Sequence, residues 1–113
     1  MSRKADITER GEYVRRLLEA YRTTPGTGGA VRAPDRLFAA QLYARGVGLE
    51  AVENALILAA ARRLARPGGA PPLGGIRSLA YFSPVIEEVM GMKVSSEYFR
   101  HLRQRVARLT AAV

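Results

Sequence analysis

The sequence predicts an all-α fold, a single bundle of four main helices plus a short kinked helical segment. Three observations carry that expectation. Apolar residues recur at spacings of three and four along most of the chain, no segment alternates apolar and polar residues between hairpin turns, and Gly/Pro clusters cut the chain into pieces of helical length. At 113 residues the chain fits one domain with one core, read as 1–113 with flexible loops at about 23–34 and 67–75.

The first helix is expected over 7–22. Thr8 stands where an N-cap would, Glu9 and Glu12 complement the positive end of the helix dipole, and Val14, Leu17, Leu18 and Tyr21 form one apolar face. Arg10, Arg15, Arg16 and Arg22 lie mostly off that face, and Gly11 weakens the first turn slightly. The stretch "TTPGTGGAVRAP" that follows has no periodicity and reads as a loop. Its "PGTGGA" lacks both the Lys-Ser/Thr ending and the preceding strand of a P-loop, so no phosphate cradle is expected there.

Pro34 suits the first turn of a second helix, Asp35 adds a carboxylate near its N-terminus, Phe38 and Leu42 face inward, and Gly46 fits just past its end. A third helix is expected over 49–66, with Val52, Ala55, Leu56, Ala59, Ala60 and Leu64 on its buried face. Proline and glycine in "RPGGAPPLGG" stop it. The last helix, 96–111, is capped by Ser95 or Ser96, has Glu97 in its first turn, and carries the stripe Tyr98, Phe99, Leu102, Val106 and Leu109.

Between them lies "GGIRSLAYFSPVIEEVMG". Ser83 can cap and Pro84 needs no amide at a first helical position, so the segment divides into short helices over 76–82 and 84–90, ended by Gly91. Ile76, Leu79 and Phe82, then Val85, Ile86 and Val89, give each piece an inward face, and the segment is expected to lock the last helix to the first three. Arg77 and Tyr81 fall off that face and are the candidate partner-contacting residues.

A net charge of +8 and a pI near 10.8 favour a polyanionic partner, since each phosphate neutralised releases condensed counterions. Sixteen of the eighteen basic residues are arginine, the better phosphate ligand, although a GC-rich genome produces the same bias unselected. The expected phosphate contacts are Arg15 and Arg16, Arg62, Arg63 and Arg66, and Arg100, Arg103 and Arg108. Basic residues in a last helical turn also complement the dipole, which gives the middle three an ordinary structural reading as well.

"QLYARGVGLEAVENAL" has the glycine and apolar spacing of a helix-turn-helix. Glu50 and Glu53 would then face the groove, so an ordinary helical hairpin is the better reading. The basic amphipathic "RHLRQRVARL" suits phosphates or an acidic partner; a membrane is disfavoured because its apolar stripe lacks tryptophan and is needed for the core.

No cysteine is present, His101 stands alone, the adjacent Glu87 and Glu88 diverge on a helix, and Asp6 and Asp35 show no partner. Neither an enzyme nor a metal, cofactor or small-molecule substrate is therefore expected. There is no apolar run of about 18 residues and no signal-peptide core, so a cytoplasmic protein without a membrane partner is expected.

"DRLFAAQLYARGVGLEAVENALILAAARRLAR" followed by "IRSLAYFSPVIEE" resembles the helical C-terminal segments of phage, plasmid and transposable-element replication initiators and helicase loaders. There a glycine-turned helix pair leads to an Ile-x-Ser-Leu-x-Tyr-Phe-x-Pro-like segment, matched here by Ile76, Ser78, Leu79, Tyr81, Phe82 and Pro84 over about half the chain. The resemblance implies mobile-element DNA replication, through DNA or a replication partner. With no winged-helix domain ahead of the segment, it implies accessory DNA binding or protein contact rather than autonomous origin recognition.

Two functions are thus expected. The first is a small basic DNA-binding accessory protein that contacts mainly phosphates. The alternative is a helical protein-interaction module, self-associating or docked on another protein, with an exposed apolar patch around Tyr81, Phe82, Val85 and Met90.

Overall fold

Half of the sixteen residues from Leu49 to Leu64 are buried, and they lie on nearly every side of that helix, which makes it the axis of the fold. The computed structural model describes residues 3–71 and 73–111, with side chains from Glu9 onward. It holds helices α1 (Arg3–Arg22), α2 (Ala33–Ala44), α3 (Leu49–Leu64), α4 (Ser83–Met90) and α5 (Ser96–Ala111), with a 3₁₀ turn at Leu79–Phe82 leading into α4. The all-α expectation holds, with five α-helices in place of four and a kinked segment. Among the described residues no helix is long and apolar enough to cross a membrane.

α3 packs against α1, α4, α5 and the 3₁₀ turn, while α2 packs on α1 and the same turn. The alanines at 55, 59, 60 and 61 allow this, because a helix surrounded on several sides needs small side chains for close approach. Leu17, Tyr21, Leu42, Val52, Leu79, Phe82 and Ile86 form the centre of the core. A second, smaller cluster of Ala60, Ala61 and Val106 seats α5 on α3. The last helix is therefore held chiefly by α3, not by the segment before it.

α2 ends in a Schellman motif. The Gly46 amide donates to the Tyr43 carbonyl and the Val47 amide to that of Leu42, with Gly46 at φ +77° and Val47 buried beside Leu42. From there α2 and α3 diverge, each resting on α1. A groove-reading helix needs a free face, and α3, enclosed by three helices, offers none to a duplex.

Several boundaries differ from the sequence reading. α1 begins at Arg3, so Thr8 lies within it and not at its cap; the side chains of Thr8 and Asp6 lie outside the described ones. α3 ends at Leu64 and leaves Arg66 just beyond its last turn. Ser95 is the residue that caps α5, its Oγ accepting the Tyr98 amide at 3.3 Å.

The largest difference is at 76–82, which is helical only from Leu79. The amides that would start a helix are used elsewhere: that of Ile76 donates to the Gly26 carbonyl at 2.8 Å, and that of Leu79 to Asp35 Oδ1 at 2.9 Å. The chain is already helical when it reaches Ser83, so Phe82 occupies the N-cap position of α4, and Ser83 and Pro84 are its first two residues.

The loop after α1, expected to be flexible, is tied at several points. Thr24 Oγ1 donates to the Ala20 carbonyl at 2.7 Å, Thr27 Oγ1 to that of Thr24 at 3.0 Å, and Thr27 bridges to Ile76 in parallel register. Gly26 is the constrained position, with φ +98° and room for a Cβ only at 3.1 Å from Arg63 Nε and 3.3 Å from Ile76 Cδ1. Gly26→Ala should cost about 1–2 kcal/mol in urea denaturation, the cost of placing a non-glycine residue at positive φ. Gly28→Ala, where φ is not positive and nothing lies within 4 Å of the new Cβ, should be near neutral.

Candidate nucleic-acid interface

The end of α3 and the residues just past it hold three arginines, two of them without an ion-pair partner among the described residues. The last turn holds Arg62 and Arg63, Arg66 follows the C-cap Ala65, and Pro71 and Gly74 of the loop that follows lie beside them. Arg63 Nη2 donates to the Gly74 carbonyl at 2.9 Å, and Arg66 Nη2 to the Pro71 carbonyl at 2.8 Å. These acceptors are neutral, so each guanidinium is positioned but keeps its full charge.

Arg62 differs. It makes a two-pronged ion pair with Glu88 of α4, Nη1 reaching Oε2 at 2.8 Å and Nη2 reaching Oε1. This hydrogen bonding holds the Glu88 carboxyl below its usual 4.5; partial desolvation opposes the shift, and the charge of Arg62 adds to it. A carboxylate lowered in the folded state stabilises the fold above its unfolded pKa, and that contribution is lost as pH falls through the lowered native value. Arg62→Ala should move the Glu88 titration back up toward 4.5 in a carboxyl-detected NMR titration. An unmoved titration would contradict the pairing.

Two concavities share the wall formed by Arg63, Arg66 and Leu73. One, of about 310 Å³, is completed by Ala59, Arg62, Tyr81 and Val85. The other, of about 350 Å³, is completed by loop residues including Pro25, Gly26 and Pro71. The guanidinium of Arg63 lies 5.9 Å from the centre of the Tyr81 ring, and its Nη1 donates to the Tyr81 hydroxyl at 3.3 Å. Four of the ten residues singled out from the sequence, Arg62, Arg63, Arg66 and Tyr81, thus line one recess.

The others lie elsewhere. Arg15 is paired with Glu12 at 2.6 Å on the exposed side of α1. Arg16 lines an apolar recess with Tyr13, Tyr43 and Leu49, the first residue of α3, which lies about 20 Å from Arg62 by helical rise. Arg100 and Arg103 border a recess of about 500 Å³ at the start of α5, where Arg100 faces Glu97 at 3.7 Å and Arg103 Nη2 donates to the buried Asn54 Oδ1 at 2.6 Å. Arg108 and Arg77 are exposed, with no ion-pair partner among the described residues. The basic residues therefore border several different recesses.

The apolar patch expected around Tyr81, Phe82, Val85 and Met90 does not form as such. Phe82 is fully buried against Tyr21, their rings edge to face at 6.1 Å, and Val85 is half-buried; Tyr81 and Met90 are exposed. Two contributors escaped sequence reasoning, Leu73 and the Gly74 carbonyl. Leu73 did leave a signal, as a large apolar residue inside a Pro/Gly-rich loop where nothing local can bury it. Among the described residues no group of three His, Cys, Asp or Glu side chains is placed to hold a metal ion. Comparison with protein-family models, with curated proteins and with solved structures gives no match to this chain.

Proposed function

We propose that this chain is a small DNA-binding accessory protein of a mobile-element or replication system, which holds DNA mainly by its phosphates at the C-terminal end of α3. The observation that carries the reading is the state of Arg63 and Arg66. Both are unpaired with any described carboxylate, held by backbone carbonyls, and placed on the shared wall of two open recesses. Arginines that only served to cap α3 would not need orienting by a second loop. The net charge of +8 supplies long-range attraction to the same partner, and the resemblance of 35–88 to replication-protein segments supplies the process.

Phosphate contacts predict weak sequence preference and strong salt dependence. Fluorescence anisotropy with a labelled DNA should give binding at low salt that weakens roughly 10- to 150-fold between about 50 and 200 mM, for two to four phosphate contacts. No binding at the lowest salt would remove the reading.

The alternative, a protein-interaction module, draws on a different place. The recess of about 440 Å³ lined by Tyr13, Tyr43 and Leu49, with Glu9, Glu12 and Arg16 around them, is almost wholly apolar at its surface. Light scattering distinguishes the two: a self-associating module gives a dimer or larger species without DNA, whereas the DNA-binding reading requires none.

A further inference from the structure

We infer that the recess between α3, the 3₁₀ turn and α4 takes an unpaired nucleotide of a single strand, its base stacked on Tyr81 and its phosphates on Arg63 and Arg66. The inference rests on the DNA-binding reading and names the form of nucleic acid that this site selects.

The walls of the recess are mostly apolar and partly charged. Arg62, Arg63 and Arg66 provide one side, and Leu73, Tyr81, Val85 and Ala59 the other. Tyr81 is 47% exposed and Leu73 45%, so large apolar groups stand open beside full positive charges. A duplex makes poor use of this combination. Its base faces are stacked inside, and it presents phosphates and base edges, which suit a protruding helix and not a hollow. A single strand presents both a phosphate chain and free base faces, and proteins meet it with cationic grooves that carry aromatic platforms.

Tyr81 is built as such a platform. Its neighbour Phe82 is fully buried and meets the Tyr81 ring edge to face at 5.2 Å, while Arg63 fixes the hydroxyl. The ring is held before any ligand arrives, so little side-chain entropy is lost on stacking. A volume of about 310 Å³ lies at the lower end of small-ligand sites, which suits one base with its sugar and not a folded segment of another protein. The neutral Arg62–Glu88 pair borders the recess without adding net charge, so the positive field comes from Arg63 and Arg66.

The natural chain has no tryptophan, so Tyr81→Trp introduces a single fluorescent reporter at the platform. Oligothymidylate is expected to quench its emission by stacking and to bind with near wild-type affinity; an oligouridylate arm tells DNA from RNA, and quenching by either supports the inference. A duplex of equal length and an abasic oligonucleotide should bind through phosphates with little or no quenching. Tyr81→Ala should weaken oligothymidylate about tenfold and leave the duplex nearly unchanged, while Tyr81→Phe keeps the ring and the affinity. Circular dichroism melting of each variant checks that the fold is intact. Equal affinity for duplex and single strand, together with unquenched emission from the Tyr81→Trp variant, would overturn the stacking inference while leaving phosphate binding standing. Binding of no nucleic acid at low salt would instead remove the underlying reading.

Discussion

Replacing Asp35 with alanine is expected to lower the stability of the fold by about 1–4 kcal/mol, the largest single-residue effect outside the apolar core. Asp35 is 2% exposed and both its oxygens are used: Oδ2 accepts the Arg32 amide at 2.9 Å, and Oδ1 accepts the Leu79 amide at 2.9 Å across forty-four residues of sequence. The carboxylate therefore satisfies the start of α2 and the start of the 3₁₀ turn together. Alanine would leave the buried Leu79 amide without a partner, at about 1–3 kcal/mol, and would remove a favourable charge from the first turn of α2, at about 0.3–1 kcal/mol. Asparagine retains one acceptor but turns an amide group toward the second donor, so Asp35→Asn should fall between alanine and wild type. In urea denaturation the midpoints should follow that order with an unchanged m-value. A loss below about 0.5 kcal/mol for Asp35→Ala would mean that the Leu79 amide is satisfied without it. Asp35 also acts on its surroundings: burial raises the pKa of the Tyr21 hydroxyl, and the Asp35 charge raises it further.

The second large effect is on binding. Arg63→Ala with Arg66→Ala should weaken DNA at low salt by at least tenfold, since a charge-assisted hydrogen bond contributes about 1.5–3 kcal/mol. Both side chains reach backbone carbonyls near the surface, so stability should change little. Arg62 is already neutralised by Glu88, so removing both members of that pair should leave affinity close to wild type. Arg62→Ala alone should weaken binding, because it leaves the Glu88 carboxylate uncompensated beside the recess. Affinity measured by anisotropy for the three variants gives the ranking directly.

Local physics made much of the fold legible. The 3.6-residue period placed α2 and α5 closely, Gly46 marked the end of α2, where the hydrogen bonds of Gly46 and Val47 make a Schellman turn, and Ser95 or Ser96 marked a cap, which Ser95 forms. What escaped the sequence depends on partners far along the chain. Asp35 reads as a helix-start carboxylate, and nothing near it names Leu79 as its second donor. Residues 76–78 have the composition of a helix, yet the Ile76 amide goes to Gly26 and the Leu79 amide to Asp35, and Ser78 between them is extended. α3 reads as one-sided, with Val52, Ala55, Leu56, Ala59, Ala60 and Leu64 inward, whereas Asn54, Leu58 and Ala61 are buried as well because α1, α4 and α5 all pack on it.

The candidate site shows the same division. The run Arg62, Arg63, Arg66 is visible as excess charge, but its sorting into one neutralised and two free arginines depends on α4 and on the loop 67–75. Arg15, Arg16, Arg100, Arg103 and Arg108 looked equivalent in sequence, and the fold distributes them over other surfaces.

If Arg63 and Arg66 each hold a phosphate, removing both changes the salt dependence of binding as well as its strength. The slope of log K against log salt concentration should be shallower by about two in the Arg63→Ala, Arg66→Ala variant than in the natural protein, about one for each lost phosphate contact. An identical slope would place the phosphates elsewhere on the protein and contradict the account, whatever the change in affinity.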